Sequence, residues 1–331
     1  MRCFSRVLLT PVVLSVLLAL PVAGSATSCT TQAELSPLDR NALVAAGGRL
    51  SEAVAQQDYA ALKSALLPAV ASDWDGMHDV VEQSTGLLKG GQIQLRSLYL
   101  LDASTLTAPA DTQFFCSNAS GSVTVTITMR ALPAGRYAVV LADAAGAAMG
   151  GQLGFILAWD GSATAWKLGG LTIRPGSLDG KDGVEWWKKA REQAKENEGW
   201  SAWFSYETAR ALLLPVDFLS SPNLEKLTQE QAQIKNSPQD AFPYIVPDSA
   251  RTWKIEAVRL DPTLLHADLG VVYESTGVTD PAAQHTEAVA VLSAFLKAQP
   301  ALRASFHGLW AFAEKDGKRT PIIELPMAQI P

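Results

Sequence analysis

Asp75, His78 and Asp79 fall within the stretch SDWDGMHDVVEQ. Residues three and four apart are neighbours on a helix, so these three side chains share one face. Acids beside an imidazole are the groups that move protons at a carbonyl. A plainer role fits the same positions, because Asp73 and Asp75 stand where a helix start favours negative charge. The remaining histidines, His266, His285 and His307, all lie beyond residue 260. His266 and Asp268 are expected to share a strand face, where a mixed His/Asp metal site is geometrically feasible. Ligands spread over a strand, a helix and a hairpin carry no local spacing signature, so no metal and no cofactor are expected.

The established catalytic templates fail. GSLDGK at 176–181 is one residue short of a phosphate loop, and Asp182 stands where Ser or Thr should follow Lys181. HTE at 285–287 has neither the second histidine of a zincin nor the paired cysteines of a deaminase. Neither G-x-S-x-G nor S-x-x-K occurs. The stretch ALLLPVDFLSSPNLEKL holds a lone acid, Asp217, but reads as a joint between packed units. Pro215 ends one helix, Ser221 and Pro222 begin the next, and Phe218 and Leu219 are expected to plug the space between.

The N-terminus carries an export signature. Arg2 and Arg6 precede an apolar run from Val7 to Ala23, followed by small residues, which predicts a signal peptide over 1–26. The destination is then periplasmic, secreted, or membrane-anchored as a lipoprotein. Ala26-Thr27-Ser28-Cys29 resembles a lipobox, with Ala26 where leucine is preferred. The alternative is a disulfide between Cys29 and Cys116, the two cysteines left once Cys3 departs with the signal. A lipid anchor at Cys29 and that disulfide exclude each other. The 331-residue chain has 27 basic and 33 acidic residues, and loss of Arg2 and Arg6 takes the net charge from −6 to about −8. With no basic cluster, nucleic acid and anionic membrane surfaces are excluded as partners, and no membrane span remains after signal cleavage.

The elements that must position these residues follow from periodicity. Two helices are predicted over 36–66, with Asp58 capping the second, and a third from Ser72 or Asp73 to about Leu88, stopped by Gly90-Gly91. Strands come next. Val123, Val125, Ile127 and Met129 alternate with Thr124, Thr126, Thr128 and Arg130. GQLGFILAWDG repeats the period, and QIQLRSLYLL, FFCSN, RYAVVLAD and AWKLGGLTIRPG complete the set. Helices followed by a run of antiparallel strands define an α+β domain.

The order helix, DYAALKSALLP helix, third helix, then a curved meander ending in AWKLGGLTIRPG resembles the NTF2-like (cystatin-like cone) superfamily over residues 36–176. The resemblance implies helices and a curved antiparallel sheet enclosing an apolar cone. Superfamily members range from isomerases and dehydratases to binding and structural modules. Catalysis in such a cone would fall to Asp75, His78 and Asp79, and a ligand would meet the candidate cone aromatics Trp74, Trp159 and Trp166.

Beyond the polar loop at 176–183, residues 184–235 read as a helical hairpin about Gly199 and a following helix. Trp187, Ala190, Ala194, Ala202, Trp203, Tyr206 and Ala209 resemble one tetratricopeptide-like hairpin. A single copy cannot bury its own core, so it must pack on another part of the chain. The run WWKKAREQAK…LEKL also resembles a segment of exported bacterial proteins that carry an NTF2-like domain, which supplies no chemistry. Residues 236–250, with three prolines, read as a linker, and 251–331 as a small ββαββ domain ending in a hairpin about Asp316-Gly317. The function expected is an exported, non-catalytic binding or scaffolding module whose partner is an envelope protein or a small apolar ligand. The alternative is a small-molecule isomerase or lyase using the cone.

Overall fold

The computed structural model describes residues 27–147, 150–248 and 251–331; the expected signal peptide lies outside the described residues. The chain is mixed α+β, and its antiparallel sheets do not close into a barrel. The described residues open with an unexpected strand, β1 (Ser28–Thr31), followed by α1 (Pro37–Ala55) and α2 (Tyr59–Ala65). Ser36 and Asp58 cap these helices by accepting from the amides of Asp39 and Ala61. The predicted third helix is broken. A 3-10 turn (Pro68–Asp73) leads into α3 (Trp74–Gln83), and Ser84 separates it from the single turn α4 (Thr85–Leu88). The Ser84 hydroxyl donates back to the Val80 carbonyl, the local bond by which serine competes with helix propagation. Asp73 precedes α3 but makes no side-chain cap.

Six strands follow: β2 (Gln92–Asp102), β3 (Ala110–Ser117), β4 (Val123–Leu132), β5 (Arg136–Ala145), β6 (Gly151–Asp160) and β7 (Ala165–Pro175). They form two sheets. One has the order β1-β2-β5-β6-β7. The other is the β3–β4 hairpin joined by β10 (Leu219–Ser220). The period of two in β5 explains the layering. Ala138, Val140, Ala142 and Ala144 face the core beneath α1–α4. Val139 and Leu141 face the opposite way, onto Phe114, Cys116 and Ile127 of the hairpin. β5 is therefore covered on both sides, and the unit has three layers. Cys29 of β1 is bonded to Cys116 of β3, a disulfide that ties the edge of the first sheet to the hairpin.

A short hairpin of β8 (Ser177–Leu178) and β9 (Lys181–Asp182) leads to α5 (Gly183–Lys195) and α6 (Gly199–Leu213). Asp182 and Glu185 form a reciprocal capping box at the start of α5. Then come β10, α7 (Pro222–Ala232) and β11 (Tyr244–Pro247), a strand within the stretch expected to be only a linker. Strands β12 (Thr252–Asp261) and β13 (Asp268–Glu274), helices α8 (Pro281–Ala298) and α9 (Leu302–Ser305), and strands β14 (Gly308–Lys315) and β15 (Lys318–Pro326) complete the chain. Two helices, α8 and α9, stand between the strand pairs β12–β13 and β14–β15, where one was expected, and β11 is added at the edge of the sheet. β13 and β14 run parallel because α8 crosses between them. The α5–α6 hairpin packs on this sheet: Trp186, Ala190, Trp200 and Phe204 share one core with Trp253, Val271, Tyr273 and Phe295. Trp186 and Phe204 are the fully buried anchors, whereas Trp187 and Trp203, marked by the repeat-like spacing, are only partly covered.

The stretch after α6 is a joint, plugged by the expected Leu219 together with Val216. Val216 is fully buried and Leu219 nearly so, while Phe218 is partly buried against the same cluster. Val216 lies against Gly154 of β6, where any Cβ would collide with its Cγ1 methyl. Three side chains of the sheet donate to the chain end of α6: Gln152 Nε2 to Leu212 O (2.5 Å), Arg174 to Leu214 O (3.0 Å) and Thr172 to Pro215 O (3.1 Å). Asp217 is exposed and pairs with Arg174 at 2.7 Å. Among the described residues no helix is long and apolar enough to cross a membrane.

Val216→Asp should therefore place an uncompensated charge in a closed site, lowering stability by several kcal/mol. Asp217→Asn should cost under about 1 kcal/mol, since it loses one exposed ion pair. Chemical denaturation of both variants checks this. Equal effects would show that the segment is not a buried joint.

Candidate functional site

The residues expected to act in the N-terminal unit are on its outside. Asp75 and Asp79 are exposed on α3, whose buried residue is Val81. His78 packs its ring on Tyr59 (4.4 Å between centroids) and lies 3.6 Å from Asp79 and 3.9 Å from Glu82. Trp74 meets the edge of Tyr59 and of His78. Trp159 and Trp166 pack edge to face 5.5 Å apart, and Trp159 is exposed. Trp166 lines a groove of about 290 Å³ with Leu50, Ala53, Ala61 and Ala65. The structure thus groups Trp74 with His78 and Trp159 with Trp166, and it does not converge all three tryptophans on the triad. A separate cleft of about 460 Å³ opens where the first sheet meets α5 and α6, lined by Arg96, Asp143, Gln152, Asp182 and Leu213.

The densest array of chemical groups is in the C-terminal unit. His266 lies in the loop before β13, not on the strand, so it shares no strand face with Asp268. The two residues are nevertheless brought together. Asp268 begins β13 and is fully buried; its Oδ1 lies 2.9 Å from Nδ1 of His307, the residue just before β14. The rings of His266 and His307 stack 3.8 Å apart at 12°. Asp179 closes the array from the β8–β9 turn. Its Oδ1 lies 2.7 Å from His266 Nδ1, and its Oδ2 accepts from the Ala267 amide at 3.0 Å. Glu324 of β15 completes the set: Asp268, His307 and Glu324 each offer a ligand atom, all within 4.8 Å of one another. His285 is exposed on α8.

The electrostatics follow from burial. Desolvation pushes the Asp268 carboxyl above the ordinary aspartate range, against the opposing bond from His307. Glu324 is also raised, first by desolvation and then by the charge of Asp268. Asp268 Oδ2 and Glu324 Oε1 are buried and have no hydrogen-bond partner among the described residues. On the α5 side of the unit, Lys189 lies over the Trp186 ring (4.4 Å) and donates to Ser305 O (2.6 Å). Burial draws its ammonium down to about 8, with a smaller push from Lys181. Ser305, close in sequence to His307, is not a free nucleophile: it accepts from Gln193 and donates to Ala301 O. Two His–carboxylate pairs, with the Ser305 hydroxyl already committed to Gln193 and Ala301, suit ligand or cation binding better than acyl transfer.

Sequence reasoning named His266, Asp268 and His307 but missed Asp179 and Glu324. A signal for Asp179 was present in Asp179-Gly180, a dipeptide that favours a two-residue hairpin. Both residues take positive φ, 50° and 71°. Glu324 carries no such signal, because only the β14–β15 register sets its position. Comparison with known proteins returned no matching family model, no curated relative and no similar solved structure.

Lys189 makes a pH-dependent contribution of definite sign. Between about 8 and the ordinary lysine value of 10.5 the folded protein binds fewer protons here than the unfolded chain. The site therefore opposes folding most below pH 8 and does so less as pH rises through that window. Denaturant midpoints of wild type and Lys189→Met at pH 7 and pH 10 should show the balance moving toward wild type at the higher pH. A constant difference would show that Lys189 titrates as an ordinary lysine.

Proposed function

We propose that the protein is exported and acts in the cell envelope as a non-catalytic binding or scaffolding module, its N-terminal unit an NTF2-like cone with a structural interior. The observation that carries this reading is the filling of that interior. Leu43, Leu62, Phe155, Leu157 and Leu168 are all 2% exposed or less. A general base working on a bound carbonyl must be within hydrogen-bond reach of it. Asp75 and Asp79 are exposed on α3, away from its buried residue Val81. The bond between Cys29 and Cys116 adds support for export, since such links persist in oxidising compartments. Its sulfur atoms are shared with each other, which favours the bridged form over a lipid anchor at Cys29.

Two measurements test the reading. Environment-sensitive apolar probes should give no saturable quenching of tryptophan fluorescence. Saturable quenching that disappears in Trp166→Phe would instead make the groove beside α1 and α2 a small-ligand site. In cells expressing the full chain, the processed protein should leave the cytoplasm and show the Cys29–Cys116 bridge in non-reducing mass spectrometry. Retention on membranes that is released by Cys29→Ser would establish the lipoprotein form and sink the bridged one.

A further inference from the structure

We propose that Asp268, His307 and Glu324 form a binding site for a divalent first-row transition ion of the zinc class. The site lies in a different unit from the cone and goes beyond the scaffolding role.

The argument begins with unmet bonding. Buried carboxylates are ordinarily paired or coordinate a metal, because an isolated buried charge is costly. Asp268 is fully buried and His307 engages one of its oxygens, yet Oδ2 has no partner. Oε1 of Glu324 is in the same condition beside it. Both oxygens are acceptors when ionised, so they cannot satisfy each other. A divalent cation would satisfy both and neutralise the two charges together.

The geometry suits such an ion. Ligand atoms about 2.0–2.2 Å from one metal lie about 3–3.5 Å from each other, and one nitrogen with two carboxylate oxygens is a donor set that zinc accepts. Asp268, His307 and Glu324 each offer a ligand atom within 4.8 Å of the other two, so small side-chain shifts would bring them onto one ion, with the 2.9 Å His307 Nδ1–Asp268 Oδ1 hydrogen bond exchanged for coordination. Space is kept for the pair of carboxylates by Gly308. A Cβ there would stand 2.6 Å from Glu324 Oε1 and 3.0 Å from Asp268 Oδ1. His307 is one-third exposed (33%), which leaves an entry path and room for water to complete the coordination. His266, stacked on His307 and held by Asp179, fixes the plane of the imidazole. Oriented ligands of this kind typically raise metal affinity 10–100-fold.

The test uses untagged, chelator-treated protein titrated with Zn²⁺ against a chromophoric competitor, with bound metal counted by elemental analysis. Wild type should take up one equivalent and melt at a higher temperature with Zn²⁺ than without it. His307→Ala, Asp268→Asn and Glu324→Gln should each weaken binding by about tenfold or more, and the thermal shift should vanish. Asp179→Asn should weaken binding less. A second, exposed group, His78, Asp79 and Glu82, could also collect zinc, so His78→Ala is the control and should leave the tight site intact. The proposal is overturned if wild type takes up no tight equivalent, or if His78→Ala abolishes the uptake while His307→Ala does not. It also fails if Asp268→Asn and Glu324→Gln fold normally and keep full zinc affinity; the carboxyls would then simply share a proton.

Discussion

The end of α6 is the point on which the two halves of the molecule depend. A helix leaves its last carbonyls without partners, and burying them unsatisfied is costly. Here the donors come from the neighbouring sheet. Gln152 and Arg174 face each other across β6 and β7, as do Gly154 and Thr172. The same short patch of one sheet face therefore supplies three donors and the gap for Val216. A slip of one residue in either strand would turn its part of this patch to the other side. The register of β6 with β7 thus governs both the core under α1–α4 and the docking of everything after residue 183.

The β3–β4 hairpin shows the same dependence. A two- or three-stranded ribbon is marginal alone and needs a face to pack on. Its face is the outer side of β5, through Val139 and Leu141. The Cys29–Cys116 bond holds it on the β1 side, across a separation of 87 residues. Its other edge is held by β10, where Leu219 and Ser220 pair with Ile127 and Thr126 and the Thr128 amide donates to Phe218 O at 2.8 Å. Thus VDFLSS joins all three parts, lying beneath the sheet at Val216 and becoming sheet at Leu219.

Much of this was legible in the sequence where local chemistry decides. Asp58 and Ser221-Pro222 mark helix starts by their own side chains and neighbours, and both serve as caps or first turns. The alternation marked Val123, Val125, Ile127 and Met129 as one face, of which Ile127 is buried, Val125 and Met129 are partly buried and Val123 at the strand start is exposed. What could not be read was whatever depends on contact between distant segments. β1 and β11 are four residues each and become strands only because β2 and β12 offer an edge. Trp186 and Trp187 are adjacent in sequence, so periodicity alone could not decide which faces the core. His266 was placed on a strand from its neighbours' pattern, but the chain turns there, with Leu265 at φ 62°. The candidate site was legible as residue types and illegible as a site.

The reason lies in the topology of the last sheet. Parallel neighbours start at the same end, so the α8 crossover brings the starts of β13 and β14 side by side. Asp268 and His307, 39 residues apart, meet because of that crossover. β15 returns antiparallel and brings Glu324 to the same end, opposite Trp310. Asp179 arrives from a turn that α5 anchors through its capping box. Three separate chain reversals thus place carboxylates and imidazoles together, and one of those carboxylates lies in full burial. Well-packed apolar residues of similar size would stabilise such a place at least as well as buried charge. Two acidic oxygens left without donors at a strand end are costlier than the hydroxyl and indole groups that are also unpaired among the described residues, because a carboxylate carries charge. Departures of that kind are expected at functional sites. On these grounds the strand ends of the C-terminal sheet, and not the interior of the N-terminal unit, are where this chain's chemistry should be sought.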